Sequence, residues 1–371
     1  MDESWHLLHV FSTFSTGGPQ VRTSDIIQNL GTPFRHTILA MDNDYTCKDR
    51  LPTSLPVVYS DWQIPKKRTF HNILEIRKFL LKIKPNLLLT YNWGAIEWVM
   101  AHCFASVCPI IHSEDGFNQD EFFRQKPLRI WTRRIFLPHC NCVVVPSHTL
   151  ENIAKNIWKL PSSKVLYVPN GIDYAKFYTE RHKKTPGSPA VVGFVSGLRP
   201  VKNVGRLIQA FNRLPVEARH ELWLIGEGPS RKELEQLAQQ GPHAAQIKFL
   251  GHAPDPSKFF KQMDIFALSS DSEQMPICMV EAMAAGCAIL STDVGDIRDL
   301  VSHPNREFIL PLGDDVAYAR SLAYLVDHLD HCQWLGAENQ QKCRENYTKA
   351  QMMKDYLRIY QSLLEKKEIK K

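Results

Sequence analysis

The sequence predicts an α/β protein with two domains, each built around a parallel β-sheet. Its 371 residues exceed the usual size of a single domain. Short apolar strands alternate with amphipathic helices along most of the chain, which is typical of parallel sheets. A charged segment rich in Pro and Gly, RHKKTPGSP at 181–189, interrupts this alternation once. We therefore expect domains at 1–185 and 186–347, and a C-terminal helix within 348–371 that packs on one of them.

The elements of the first half follow from their hydrophobic patterns. Short apolar runs bounded by turn residues predict strands at 5–11, 37–41, 57–59, 87–90, 109–112, 142–146 and 165–168. Apolar residues three and four apart predict helices at 21–30, 70–83 and 93–103, a basic helix within 120–137, and a helix capped by Ser147. This alternation of strands and helices predicts a parallel, Rossmann-like sheet.

The second half repeats the same alternation. Strands are predicted at 190–195, 221–225, 247–250, 265–268, 288–291 and 307–310. Helices are predicted at 202–212, 230–239, 256–262, after Pro276, and at 314–330. The last predicted helix, 348–365, has the apolar face Met352, Tyr356, Ile359, Tyr360 and Leu363. No strand follows it, so it must pack on sheets that already exist.

Composition narrows the class of protein. Hydrophobic residues make up 44% and charged residues 23%, which is ordinary for a soluble globular protein. The net charge of +6 permits contact with phosphates or an anionic membrane surface without requiring either, and we expect no nucleic-acid partner. No apolar run has the length of a membrane span or signal peptide, so we expect a cytoplasmic protein.

Cys140 and Cys142 follow His139, which could suggest a metal site. Their alternate spacing at the start of an apolar strand is better explained by two cysteines that are buried in that strand.

The most informative stretch is 269–301, which contains Glu273 and Glu281 with seven residues between them. Pro276 suits the first position of a helix, and nothing up to Ala285 breaks that helix. Met275 precedes Pro276 and has no side chain that could cap the helix. An uncapped helix start can bind an anion. We therefore expect a phosphate at this helix start, with Glu273 before it and Glu281 beyond it.

Two strand ends of the first half carry candidate ligand-binding residues. Gly17 and Gly18 follow the first strand, where they would let a phosphate or a sugar approach the backbone; a turn without ligand fits equally well. His112 ends another strand, with Glu114 and Asp115 close behind. It could donate to a substrate hydroxyl or stabilise developing charge, although a single histidine there also fits a hydrogen-bonded structural residue.

The strand ends of the second half add cations and glycines. Arg199 and Lys202 lie between the strand at 190–195 and the next helix, where they could clamp a diphosphate. Gly226 and Gly251 follow two further strands and suggest close approach of a flat base. No D-x-D motif or His/Cys cluster is present to hold a divalent metal, so we expect no metal and no cofactor. Ligands of such sheets bind at the carboxyl ends of strands, and a cleft between the two domains is the expected site.

These motifs together resemble a known family. The two glutamates with Pro276 and the AMAAG sequence, the LRPVK turn at 198–202, the VPNGID turn at 168–173 and the Gly-Gly turn follow one another as in the retaining glycosyltransferases of family 4. The resemblance implies the GT-B fold, with a C-terminal helix that crosses back to the first domain. It also implies transfer of a hexose-type sugar from a nucleotide-sugar donor to a glycan or lipid-linked acceptor. The anomeric configuration would be retained and no metal would be needed.

The resemblance also implies residue roles. Lys202 matches a lysine that binds the diphosphate, and Glu281 a glutamate that binds the ribose. Glu273 and His112 match residues near the donor sugar, and Gly18 a glycine near the phosphate and acceptor. With Arg199, we expect His112, Glu273 and Lys202 to be the catalytic residues. The residues expected to bind the donor are Gly17, Gly18, Arg199, Lys202, Gly226, Gly251, Gln274, Met275, Pro276, Ile277 and Glu281.

Two departures from the family pattern leave alternatives open. Gly197 stands where many members have arginine, with Arg199 two residues later, and Gln274 stands where many have glycine. The EQMP variant resembles a subgroup that builds bacterial surface polysaccharides and lipopolysaccharides.

Two other functions on the same fold are alternatives to sugar transfer: a nucleotide-sugar 2-epimerase and a non-catalytic scaffold. Basic residues at 66–68 and 124–134 could contact an anionic membrane, or could simply be solvated.

Overall fold

The computed structural model describes residues 4–64, 69–104, 106–117, 121, 124–181, 184, 187–217 and 219–368. The chain forms two compact units, Met1–Pro169 with Met352–Lys371, and Asn170–Gln351. The sequence places the boundary later, at 185. Residues from 170 onward join unit 2 because Asn170 donates through Nδ2 to the carbonyl of Met275 at 3.2 Å and Phe177 is buried in the unit 2 core.

Unit 1 contains a seven-stranded sheet in which all pairs are parallel. Its strands are β1 (Trp5–Phe11), β2 (Phe34–Ala40), β3 (Val57–Ser60), β4 (Leu87–Tyr91), β5 (Ile110–Ser113), β6 (Cys142–Val145) and β7 (Val165–Tyr167). Their order across the sheet is β3-β2-β1-β4-β5-β6-β7. The central strands bury mainly apolar side chains on both faces, as a sheet covered on both sides by helices requires.

Helices cover the two faces of this sheet. They are α1 (Gly18–Leu30), α2 (Thr69–Ile83), α3 (Ile96–Phe104), α4 (Pro127–Phe136), α5 (His148–Asn156) and the C-terminal α14 (Lys349–Glu368). α1 and α14 pack on one face, and α2, α3 and α5 on the other, with α4 beside α3. Met352, Tyr356 and Tyr360 of α14 are buried there. The chain thus returns to unit 1 at its C-terminal helix.

Unit 2 contains a six-stranded parallel sheet in the order β10-β9-β8-β11-β12-β13. Its strands are β8 (Val191–Val195), β9 (Glu221–Ile225), β10 (Ile247–Gly251), β11 (Ile265–Leu268), β12 (Ala288–Thr292) and β13 (Ile309–Leu310). Its helices are α6 (Tyr174–Phe177), α7 (Val204–Phe211), α8 (Arg231–Gln239), α9 (Ser257–Phe260), α10 (Ile277–Ala284), α11 (Ile297–Leu300), α12 (Asp315–Asp327) and α13 (Leu329–Asn346). The predicted α/β class with two parallel sheets is confirmed.

Several predicted boundaries were wrong. The helix predicted at 202–212 begins only at Val204, because Asn203 has a left-handed backbone (φ +42°) that separates it from a 3₁₀ turn at Pro200–Lys202. The helix predicted at 314–330 ends at Asp327, and the following α13 was not predicted. The strand predicted at 307–310 begins at Ile309, after a 3₁₀ turn. Within the described residues, no helix is both long and apolar enough to cross a membrane.

A cluster of three buried histidines in unit 1, His6, His9 and His36, adds to the dependence of its stability on pH. His9 Nε2 lies 3.0 Å from His36 Nδ1, and His9 Nδ1 lies 3.0 Å from the Tyr91 hydroxyl. Burial, the largest cause, lowers the pKa of His6 and of His36 to about 4, and the pKa of His9 well below 6.5. These side chains are therefore neutral in the folded protein at pH values where they are protonated in the unfolded chain.

We expect the free energy of unfolding to fall as the pH is lowered from 6.5 towards 4. In this window the unfolded chain binds more protons than the folded one, so the loss is roughly 2–4 kcal/mol per pH unit for the three histidines together. Urea titrations at pH 7.5, 6 and 5 measure it. Few carboxylates titrate above pH 5, so a flat profile between pH 6.5 and 5 would contradict the assignment.

Candidate functional site

The loops that follow β8 and β11 bring a lysine and a glutamate together. Lys202 Nζ donates to Glu273 Oε1 at 2.5 Å. Lys202 is only 6% exposed although it carries a charge, and the side chain of Glu273 is 9% exposed. An ion pair removed from water to this extent is costly unless further hydrogen bonds satisfy its atoms. The rest of the Glu273 loop provides them.

Hydroxyl groups fix the Glu273 carboxylate. Ser270 Oγ donates to Glu273 Oε1 at 2.7 Å, and Thr292 Oγ1 donates to the Ser270 carbonyl at 2.5 Å. The amide of Asp296 donates to the Gln274 carbonyl at 3.1 Å. The carboxylate is thus held by the end of β12 as well as by Lys202. Ser270 and Thr292 were not predicted; the polar run SSDSE after a buried strand was a signal for Ser270 but not for Thr292.

Asp271 anchors the loop that carries Lys202 to the loop that carries Glu273. Arg206 Nη1 donates to Asp271 Oδ1 at 2.9 Å, and Asn203 Nδ2 donates to the same carboxylate at 3.1 Å. The Asp271 amide in turn donates to the Val201 carbonyl at 2.9 Å. These bonds fix Asn203 in its left-handed conformation and so direct Lys202 inward.

The helix predicted after Pro276 is present as α10. Pro276 is its N-cap residue, and no side-chain hydrogen bond caps the helix among the described residues. Glu281 is half-buried in the second turn. Burial raises the pKa of the Cys278 thiol to about 12. The Lys202 ammonium opposes this shift and the Glu273 and Glu281 carboxylates add to it, so all three charges act on the first turn of α10.

Gly295 holds the turn after β12 against the Glu273 loop. Its φ is +60°, and a Cβ at this position would lie 2.3 Å from the Glu273 carbonyl oxygen and 2.9 Å from that of Gln274. Both atoms are backbone and cannot move without displacing the loop. No pattern in the sequence distinguished this glycine from the others.

Gly295→Ala is expected to cost more than about 1 kcal/mol of stability and to weaken ligand binding at Glu273. The matched control is Gly313→Ala, which has the same kind of backbone (φ +92°) but nothing within 4 Å of its Cβ. Thermal melts compare the stability of the two variants, and ligand titrations compare their affinity. Equal losses of stability and of affinity in both variants would show that the contact of Gly295 with the Glu273 loop contributes to neither.

Arg199 differs from Lys202 in its surroundings. It is exposed, and it lines an open groove of about 690 Å³ between α7 and α8, together with Ser230 and Glu233. The described residues that line this groove include neither Lys202 nor Glu273. Arg199 and Lys202, which we predicted to clamp a diphosphate together, therefore lie in different environments. Lys202 is the one that pairs with Glu273.

The predicted glycine turns are tightly packed against the chain itself. Gly226 has φ +143°, and a Cβ there would lie 1.9 Å from the Ser196 carbonyl oxygen. Gly251 has φ +73°, and its Cβ would lie 3.2 Å from Glu227 Oε1. The backbone of the turn after β8 thus explains the need for glycine at Gly226, and base binding there stays a prediction.

In unit 1, His112 lies at the end of β5 and is fully buried. Its Nδ1 is 2.9 Å from Thr90 Oγ1, and its Nε2 is 3.3 Å from Glu114 Oε2. Both ring nitrogens therefore have partners within unit 1. A sugar hydroxyl would have to replace one of these partners or meet the edge of the ring.

Glu114 belongs to a buried charge network. Arg133 Nη2 lies 3.2 Å from Glu114 Oε1, and Arg133 Nη1 lies 3.4 Å from Glu121 Oε1. Arg129 also binds Glu121, at 2.8 Å. Burial, the largest influence, would raise the pKa of Glu114, but Arg133 and His112 outweigh it and lower that pKa. The network keeps Glu114 ionised beside His112.

The Gly-Gly turn forms the start of α1. Gly17 is its N-cap residue and Gly18 its first residue, without a side-chain cap among the described residues. Arg22 of α1 forms a two-pronged ion pair with Asp115, with Nη2 to Oδ2 at 2.9 Å. This ion pair links the start of α1 to the segment that follows β5. The residues of unit 1 that we predicted to bind ligand, in the Gly-Gly turn and at His112, lie in these two places.

Cys140 and Cys142 are buried at the start of β6, and burial raises the pKa of both thiols. Across the described parts of the chain, no group of three or more His, Cys, Asp or Glu side chains is placed to hold a metal ion. The basic residues 66–68 lie outside the described residues.

Two family models match successive parts of the chain. The one described as Glycosyltransferase Family 4 matches residues 16–176, and the one described as Glycosyl transferases group 1 matches residues 178–350. Between them they account for nearly the whole sequence. The chain belongs to these glycosyltransferase families. The predicted resemblance is thereby confirmed.

Curated relatives match parts of this chain. It is 26% identical over 237 residues to N-acetyl-alpha-D-glucosaminyl L-malate synthase of Bacillus anthracis, covering 62% of each chain. It is 28% identical over 142 residues to the lipopolysaccharide core biosynthesis glycosyltransferase LpsE of Rhizobium meliloti, covering 38% of this chain and 41% of LpsE. The chain thus spans between about two-fifths and three-fifths of the length of these relatives.

Solved structures show the same fold over the whole chain. The similarity to Anabaena Alr3699/HepE in complex with UDP has a TM-score of 0.80 at 17% identity, covering 97% of this chain and 100% of that one. The lipopolysaccharide outer core galactosyltransferase WaaB, in its apo form, gives 0.74 at 15% identity, covering 96% and 99%. These similarities confirm the predicted GT-B fold.

Proposed function

We propose that the protein transfers a hexose-type sugar from a nucleotide-sugar donor to a glycan or lipid-linked acceptor, with retention of the anomeric configuration. The observation that carries the proposal is the Lys202–Glu273 pair beside the start of α10, for which the described residues show no side-chain cap. The named relatives, which include a lipopolysaccharide core glycosyltransferase, favour a role in the synthesis of surface polysaccharide or lipopolysaccharide. We place the reaction in the cytoplasm, next to the inner face of the membrane.

In this proposal unit 2 holds the donor. The Lys202 ammonium has three N–H donors, of which the described structure shows one bound to Glu273. The other two, with the first amides of α10, would bind the diphosphate and stabilise the charge that develops as it leaves. Glu281 would accept hydrogen bonds from the ribose hydroxyls. The predicted contacts of Gln274, Met275 and Ile277 belong to the same loop and helix start.

Glu273 would orient the sugar and would not attack it. Its carboxylate is already fixed by Lys202 and Ser270, which suits a positioning role better than that of a mobile nucleophile. The donor's own phosphate oxygen would take the acceptor proton while the sugar becomes oxocarbenium-like. His112 would contact the sugar, and Arg199 would add charge near the diphosphate. We propose that no metal takes part, because Lys202 and the helix start supply the positive potential.

A thermal-shift screen of UDP-, GDP- and ADP-sugars in EDTA tests donor binding directly. We expect one nucleotide class to raise the melting temperature, and slow release of free sugar from the bound donor. Formation of a 2-epimeric nucleotide sugar would show an epimerase instead. No shift and no turnover with any donor would show a non-catalytic scaffold.

A further inference from the structure

α4 exposes several apolar side chains while it buries a charged one. Its inward side chain, Arg133, is fully buried in the charge network with Glu114 and Glu121. Ile130 and Phe136 pack against the core of unit 1, but three other apolar side chains point outward. Leu128, Trp131 and Ile135 are 78%, 57% and 54% exposed. A surface helix of a soluble protein normally buries its apolar side, so this exposed apolar stripe indicates contact with something outside the chain.

α2 exposes a second apolar stripe. Phe70, Leu74 and Leu81, which share one side of the helix, are 85%, 57% and 49% exposed. The opposite side of α2 is normal, with Ile76 and Leu80 fully or almost fully buried in the core. α2 therefore has apolar side chains on both its buried and its exposed sides.

The two stripes lie on the same side of unit 1. α2, α3 and α4 pack in that order over one face of the sheet, since α3 contacts both of the others. Phe104, at the end of α3, is 66% exposed as well. Large exposed apolar patches on one side of a protein mark interaction surfaces. We call this surface, formed by the outer sides of α2, α3 and α4, the α2–α4 face.

The charge on the α2–α4 face is positive. Exposed cations accompany both stripes: Arg77, Lys78, Lys82, Lys84, Arg124 and Lys126. α4 contains no acidic residue, and the exposed Lys78 pairs with the partly exposed Glu75 at 2.7 Å. The Arg134 guanidinium lies 5.0 Å over the ring of Trp131. The occupant of this face must therefore be anionic and must also accept apolar side chains.

We propose that the α2–α4 face docks onto an anionic lipid bilayer. Trp and Phe side chains insert favourably at the depth of lipid headgroups, and flexible Lys and Arg side chains reach the phosphates around them. This match of apolar and basic groups favours a bilayer over an acidic protein. The inference extends the proposed membrane contact, on which it rests, by naming the face and the residues that make it.

Co-sedimentation of the full chain with vesicles tests the docking face. One set of vesicles is phosphatidylcholine alone, and the other is phosphatidylcholine mixed with phosphatidylglycerol. We expect the protein to bind the anionic vesicles at least about tenfold more tightly. Leu128→Ser with Trp131→Ser should weaken this binding about tenfold. Lys78→Glu with Lys82→Glu should weaken it by more than tenfold, at roughly fivefold for each cation removed.

Matched controls lie in unit 2. Trp334 is 50% exposed, much like Trp131, and Lys258 is exposed like Lys78. Trp334→Ser and Lys258→Glu should bind vesicles as the unchanged protein does. Equal binding by all four variants would overturn the proposal, and so would a self-association in solution that the α2–α4 substitutions abolish.

Hydrolysis of the donor without vesicles separates this inference from the proposed function. Variants of the α2–α4 face should keep their melting temperature and their hydrolysis rate. If the unchanged protein hydrolyses the donor but binds neither kind of vesicle, the docking face is overturned and the sugar transfer stands. If it binds anionic vesicles but turns over no donor, the docking face stands and the proposed reaction fails.

Discussion

Lys202→Ala is expected to lower kcat/KM about 10²–10³-fold in a sugar-transfer or donor-hydrolysis assay. The substitution removes a buried cation from the place where the leaving diphosphate gains charge, and the loss of one preorganised donor has this size of effect. It also leaves the Glu273 carboxylate, only 9% exposed, without its ion-pair partner. That carboxylate would then repel the donor phosphates.

The control for this variant is Lys258→Ala, an exposed lysine of unit 2 in α9. It should change neither activity nor stability measurably. Because breaking a buried ion pair also destabilises a protein, the melting temperature of Lys202→Ala must be compared with the assay temperature. A well-folded Lys202→Ala with an activity close to that of Lys258→Ala would contradict the role proposed for Lys202.

Arg133→Met is expected to destabilise unit 1 by about 3–5 kcal/mol. Arg133 is fully buried, and its removal takes away the guanidinium that the buried Glu114 and Glu121 share. Among the described residues, Glu121 then keeps one ion pair, with Arg129. The substitution also removes contacts of the guanidinium with the rings of Trp93 and Trp158, at 5.1 Å and 4.8 Å. A loss of this size lowers the melting temperature of a unit of this length by roughly 10 °C.

The neighbouring Arg134 supplies the control for Arg133. Arg134 is only partly buried, and its Nε donates to the Ile157 carbonyl at 2.7 Å. Arg134→Met should cost about 1 kcal/mol or less. Chemical denaturation of both variants makes the comparison. Similar small losses would show that the Glu114 and Glu121 carboxylates do not depend on Arg133.

Much of the fold could be predicted because apolar runs and turn residues identify buried strands. The bounds of β1 (Trp5–Phe11) and of β11 (Ile265–Leu268) agree with the predicted ones. α13 was missed because it is mostly polar, with few apolar residues at helical spacing to indicate it. The start of α7 was placed too early because the conformation of Asn203 depends on its bonds to Asp271, which is distant in sequence.

The candidate site could be predicted in its residue types and only partly in its geometry. Glu273, Glu281 and Lys202 stood out through their positions after strands. The direct pairing of Lys202 with Glu273 was not expected, because it depends on how the 3₁₀ turn at Pro200–Lys202 directs one cation inward and leaves Arg199 outside. Ser270 contacts the Glu273 carboxylate, and Gly295 contacts the backbone of the same loop. Neither contact can be predicted from a local sequence pattern.

Proton NMR of the first product released from a nucleotide sugar in EDTA tests the central claim most directly. We predict that the free sugar, or the sugar in the product, first appears with the donor's anomeric configuration, and that Lys202→Ala gives almost none of it. The inverted anomer as first product, a strict requirement for a divalent metal, or undiminished turnover by Lys202→Ala would contradict the account.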